Sequence, residues 1–245
     1  MIYLIDDTYE SLLTAIFEVY AAKDFDAQLS RDQTRISLFE TRTIAPDHEK
    51  ANRVLDGIKK RLGSGFVYDL YCLYLADTEN SSNIALQYVI AGFKNSKNIR
   101  GALQIGAVKD AQALIRRVGL EAHRLKGLVR FRKFSDDPPI FVSDIEPDHN
   151  ILPLIARHFA LRFGNENFVI RDRKRDLAIF CAGGKWSIAA LGVDEVQTVL
   201  QTTDHIETLW KGYYKHIAIK ERKNIRQQLN YMPKRYHKHI LETQQ

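Results

Sequence analysis

Cysteine is scarce in this chain: Cys72 and Cys181 are the only two among 245 residues. They stand far apart, with no CxxC pair and no histidine-rich tract beside them, which excludes a disulfide framework and a zinc ribbon. An iron–sulfur cluster, which usually takes four thiolates, is excluded on the same count. Two buried free thiols are expected, with no metal and no other cofactor. Long uncharged runs are also lacking. The longest, Asn80 to Phe93, has 14 residues, against the ~20 apolar residues that span a bilayer. The opening Met1-Ile-Tyr-Leu-Ile-Asp-Asp carries acids where a signal peptide would carry lysines, so export is not expected and a cytoplasmic location is. The eight histidines are scattered, and HExxH, GxSxG and phosphate-loop patterns do not occur. No catalytic residue can therefore be named, and whether the chain is an enzyme stays open at this point.

What is present is an ordinary globular composition, 45% apolar and 27% charged, with a length that suits one or two domains. Met1–Ile5 reads as a short strand, and Asp7 with Glu10 as a capping box for a helix to Lys23. Thr34–Ile44 reads as a strand. Pro46-Asp47 starts a helix with Ala51, Val54, Leu55, Ile58 and Leu62 on one face. Gly63-Ser64-Gly65 is either a glycine cap and loop or the turn of a helix-hairpin-helix element whose N–H groups face a phosphate. Further helices are expected at Ser82–Phe93 and Lys109–Arg124. From Gly127 the pattern changes to short β-type runs at Leu128–Phe134, Ile140–Ile145, Phe168–Asp172, Leu177–Cys181 and Trp186–Ala190, interrupted by one helix within Asn150–Phe163. The fold class expected is α+β: a mostly helical part over 1–125, a small antiparallel sheet with one packed helix over 126–192, and a basic helical segment over 193–245. The three parts could also form one compact domain.

Charge placement points to a partner. The net charge is +6. From Glu207 to Gln245 nine Lys/Arg face three acids, so the whole excess belongs to that segment, and localised positive charge attracts polyanions. Its bases, Lys215, Arg222, Lys223, Arg226, Lys234 and Arg235 among them, are interleaved with Trp210, Tyr213, Tyr214, Tyr231 and Tyr236. Rings that stack bases beside cations that follow the backbone suit a nucleic-acid groove, although Ile206, Leu209, Tyr213 and Ile217 also make a helical core stripe. A second basic cluster runs from Arg116 to Lys133 and includes Arg124, Lys126, Arg130 and Arg132. Strict alternation would put Arg130, Arg132 and Phe134 on one sheet face, either solvated or against phosphates. Arg171 to Asp176, with Lys174 and Arg175, reads as a charged hairpin tip. His158, on an apolar helix face, reads as a structural residue. Asp148, His149 and Asp172 could supply general acid/base groups.

The segments Glu121–Phe131, Pro147–Phe163, Asp172–Arg175, Leu209–Asn224 and Met232–Tyr236 resemble those of a bacterial family of unknown biochemical activity assigned to DNA metabolism. The resemblance implies a neighbouring gene for a radical-SAM protein similar to spore photoproduct lyase, and relatives fused to a uracil-DNA-glycosylase-like domain. It adds Arg162, within the second segment, to the candidate DNA contacts. The function expected is a DNA-binding accessory protein that presents DNA to such a partner enzyme. The alternatives are a metal-independent enzyme acting on DNA through Asp/His groups, and a structural protein whose basic face meets an acidic protein.

Overall fold

A computed structural model describes residues 1–32, 40–95, 99–136, 138–190, 229 and 231–240. Two compact units divide the chain, Met1–Gly119 and Leu120–Gln245. The first contains β1 (Ile2–Leu4), α1 (Tyr9–Ala22), β2 (Gln28–Ser30), β3 (Thr41–Thr43), α2 (His48–Leu62), α3 (Ser64–Leu75), α4 (Ser81–Asn95), a 3-10 turn at Ile99–Gly101 and the start of α5 (Gly106–Leu128). Its strands pair in parallel in the order β2-β1-β3. Three-residue strands are too short to show a period of two, and β2 carries no strand signal in the sequence. Of the strand expected at Thr34–Ile44, residues 34–39 lie outside the described residues, and Thr41–Thr43 is its observed part.

The helix starts follow side-chain chemistry. The cap of α1 is Thr8 rather than Asp7: its hydroxyl oxygen accepts the Ser11 N–H at 3.1 Å, while Asp6 fixes Thr8 by accepting its N–H at 2.9 Å. At α2, the Asp47 carboxylate accepts the Lys50 N–H at 3.0 Å, as the Pro46-Asp47 signal indicated. Ala51 and Ile58 are buried on that helix, and Val54, Leu55 and Leu62 are half-buried. The two glycines of Gly63-Ser64-Gly65 serve packing. Gly63 adopts φ 88° between α2 and α3, a region favoured by glycine. At Gly65 a Cβ would stand 2.6 Å from the Arg100 guanidinium. Arg100 thus occupies the space beside the turn where a phosphate would have to approach in the helix-hairpin-helix reading.

Arg100 is held there by Asp69, a carboxylate only 1% exposed. Its Nε and Nη2 donate to Asp69 at 2.6 and 2.9 Å, and Tyr88 and Gln112 add donors at 3.0 and 3.2 Å. Tyr88 also stacks on Phe66 with ring centroids 4.2 Å apart, which ties this polar knot to the apolar core. Cys72, one turn after Asp69 on α3, is buried, and burial pushes its thiol up to about 11, so it is no nucleophile at neutral pH. Arg100 itself is half exposed, but without it the buried Asp69 keeps only the Tyr88 and Gln112 donors, and an under-satisfied buried carboxylate costs stability. Arg100→Met should therefore destabilise the first unit by about 1 to 3 kcal/mol, whereas Arg100→Lys should cost less; equal stability of the Met variant in urea titration would contradict the role given to this pair.

The second unit holds the end of α5, then β4 (Arg132–Asp136), β5 (Pro139–Ile145), α6 (Leu152–Phe163), β6 (Asn167–Asp172), β7 (Leu177–Ala182), β8 (Lys185–Ala190) and a 3-10 helix at Lys234–His239. The five strands lie in sequence order. Three pairings are antiparallel, but β5 and β6 are parallel: α6 is a crossover between them, which the expectation of an all-antiparallel sheet had overlooked. α6 covers one sheet face through an aromatic cluster in which Phe131 meets Phe159, Phe163 and Phe168 at centroid distances of 5.5, 4.5 and 5.8 Å. Leu128, expected to open a strand, ends α5 instead, and a register shift between Lys133 and Ser135 breaks the alternation expected through Phe134. Among the described residues no helix is long and apolar enough to cross a membrane.

Candidate nucleic-acid interface

Four of the segments that carry the family resemblance meet in the second unit. Glu121, near the middle of α5 and 3% exposed, accepts the backbone N–H groups of Asp148 and His149 at 2.9 and 2.8 Å and the Tyr236 hydroxyl at 2.5 Å. Arg235 lies 3.5 Å from the same carboxylate and 2.8 Å from Asp148 Oδ2. From the far side of the 147–150 loop, Arg175 donates to the carbonyls of Pro147 and Asp148 at 3.3 and 2.8 Å. It also donates to Asp172 at 2.6 Å. Lys174 Nζ donates to the Asp148 carbonyl at 3.2 Å. Asp172 is fully buried; burial raises its pKa, against the opposing pull of Arg175 and the Lys174 N–H.

This network assigns several sequence candidates to internal contacts. Lys174 and Arg175 sit in the turn of the β6–β7 hairpin, as expected, and from there they clamp the 147–150 loop. Tyr236 is 2% exposed, so its ring is not free to stack a base; burial, reinforced by its bond to Glu121, holds its hydroxyl protonated far above the ordinary range. Arg235 covers the Tyr236 ring at 4.8 Å and pairs with acids. Asp148 and Asp172, the candidate acid/base groups, are taken up by Arg235 and Arg175. On the neighbouring strands Arg132 lies 3.5 Å from Asp144, and Arg130 donates to the Gly127 carbonyl at 2.8 Å, closing the end of α5. Lys215, Arg222, Lys223 and Arg226 lie outside the described residues, as do Trp210, Tyr213 and Tyr214. Lys234 and Tyr231 are exposed.

The remaining candidates gather on a different surface. Arg162 and His158 are exposed on α6, and Lys126, half-buried near the end of α5, stands close enough that both cations repel a protonated His158. Partial burial and this repulsion lower the His158 pKa. His158 is therefore not the buried structural histidine that its apolar neighbours suggested. Arg124 and Arg157 are on the same two helices, and among the described residues none of these four Lys/Arg side chains pairs with a carboxylate. Nothing in the sequence spacing links position 126 to 158 and 162; only the packing of α6 and α5 does. By contrast, a cleft of about 820 Å³ in the first unit is lined by Asp7, Asp26, Asp32, Asp77 and Glu79 with Arg31, the wrong sign for a polyanion.

The fold is of mixed α+β type, and Lys126, Arg157 and Arg162 lie on the helices of its second unit. The chain belongs to the family of a domain of unknown function, DUF4130, whose model matches residues 79–242. Comparisons with curated proteins and with solved structures found no match. The matched span contains every candidate contact from Arg124 to Tyr236.

The C-terminal 3-10 helix also meets Glu146, which Lys238 and His239 contact and from which Arg173 lies 4.0 Å away. Burial raises the Glu146 pKa, but Lys238, His239 and Arg173 outweigh it and hold the carboxyl below its ordinary 4.5. A pKa depressed by folding contributes stability that is full above the unfolded value and lost as pH falls through the folded one. Thermal stability should thus fall below pH 4.5 more steeply in the wild type than in Glu146→Gln; parallel profiles would show that this carboxylate does not hold the helix.

Proposed function

We propose that the chain is a nucleic-acid-binding accessory protein of DNA repair or modification that presents DNA to a partner enzyme. The partner is of the radical-SAM or glycosylase-like class implied by the family resemblance. The observation that carries the binding step is the Lys126–His158–Arg162 surface, where an exposed and a half-buried cation from two helices have no acid partner among the described residues. Phosphate contacts of this kind supply affinity without sequence readout, which suits a protein that delivers DNA rather than selects a site. Arg124 and Arg157 lie on the same two helices, and Lys215, Arg222, Lys223, Arg226 and Lys234 of the basic segment are further candidate contacts.

The test is the salt dependence of binding. Each lost phosphate contact removes about 0.7 to 0.9 from the slope of log affinity against log salt. Lys126→Gln with Arg162→Gln should flatten that slope by about 1.4 to 1.8 at a stability cost of ~1 kcal/mol or less per residue. Arg235→Gln should instead lower stability with little change in slope. A slope unmoved by the double substitution would place the nucleic-acid contacts elsewhere.

A further inference from the structure

The sheet face opposite α6 carries an arrangement that neither the internal network nor the basic surface uses. Asp144 on β5 and Arg171 on β6 are side by side in the parallel register, and Arg132 on β4 approaches Asp144 Oδ2 at 3.5 Å. The side chains of Asp144 and Arg171 are only 8% and 10% exposed. Yet Arg171 Nε and Nη1 and Asp144 Oδ1 are buried with no hydrogen-bond partner among the described residues. Among the described residues the carboxylate within 4.0 Å of Arg171 is that of Asp176, 71% exposed in the turn after β6, and at 3.8 Å from Nη2 it is beyond hydrogen-bond reach. A buried guanidinium with two idle donors is costly. Two donors and one acceptor set side by side form a complementary set for a group with several acceptor oxygens and one hydroxyl.

We propose that Arg171 and Asp144 form a binding site for a phosphate monoester or hydrogen phosphate. Its oxygens accept from Arg171 Nε and Nη1, its hydroxyl donates to Asp144 Oδ1, and Arg132 adds positive charge across β5. A planar guanidinium suits a phosphate better than a point charge would. Asp176 stands on the solvent side of Arg171 and opposes an incoming anion, so it sets how tightly the site holds its ligand. The site is separate from the Lys126–Arg162 surface and does not rest on the DNA-presenting role.

Isothermal titration of the full chain with inorganic phosphate, and with one dodecanucleotide in 5′-phosphorylated and 5′-hydroxyl forms, tests the assignment. Wild type should bind inorganic phosphate, or bind the 5′-phosphorylated strand more tightly than its 5′-hydroxyl form; the first result indicates a free phosphate ligand and the second a strand terminus. Arg171→Gln should weaken that binding roughly tenfold or more. Asp176→Asn, at a surface turn position with φ 50° that Asn tolerates, should tighten it, and this variant decides the matter should Arg171→Gln fail to fold. Lys126→Gln with Arg162→Gln should leave phosphate affinity unchanged. Absence of binding to both phosphate probes, or affinity unmoved by Arg171→Gln or by Asp176→Asn, overturns the proposal.

Discussion

The second unit depends on one buried carboxylate. Glu121 sits on a helix, where its neighbours Ala122 and Leu125 are core residues, and an ionised group in that position costs several kcal/mol unless it is surrounded by donors. The donors come from two places remote in sequence: two backbone N–H groups at 148 and 149, and the Tyr236 hydroxyl, 115 residues away. Satisfying Glu121 therefore fixes the path of the loop that enters α6 and the seat of the C-terminal 3-10 helix together. The loop, once fixed, presents its carbonyls to Arg175 and Lys174, and those bonds set the conformation of the turn after β6. Local geometry at one carboxylate in this way propagates to three connections of the sheet.

This constraint changes how the charge of the chain is read. A net charge of +6 and two basic clusters suggest a broad cationic surface, but many of the cations serve the interior. Arg175, Arg235 and Lys174 stabilise a loop; Arg132 answers Asp144; Arg100 answers Asp69 in the first unit. Among the described residues, the charge left without an acid partner is smaller and better localised, at Lys126 and Arg162 with Arg124 and Arg157 on α5 and α6. An Arg in a resemblance motif is thus as informative about how the fold closes as about what it binds.

Strong local signals were legible in the sequence. Asp47 before an amphipathic run gave α2, the β-type runs from Ile140 onward gave β5 to β8, and the apolar stripe of Ile151 to Phe159 gave α6. Signals that need a partner in space were not. The parallel β2-β1-β3 sheet is made of three-residue strands with no period to read. The parallel pairing of β5 with β6 depends on how α6 packs, and the bulge near Phe134 depends on β5. For the site, each basic residue could be named but its role could not, because an Arg that closes a loop and an Arg that meets a phosphate look alike in one dimension. The four motifs that meet at Glu121 were each visible, whereas their convergence, and the link from Lys126 to Arg162, are properties of the fold alone.

The most direct test of the central role of Glu121 is native-state hydrogen exchange at two amides. If the carboxylate accepts the Asp148 and His149 N–H groups as described, both amides, though in a loop, should exchange as slowly as those of the sheet core. In Glu121→Ala their protection should collapse while Ile170 and Ile179 stay protected. Fast exchange at 148 and 149 in the wild-type chain would contradict the account.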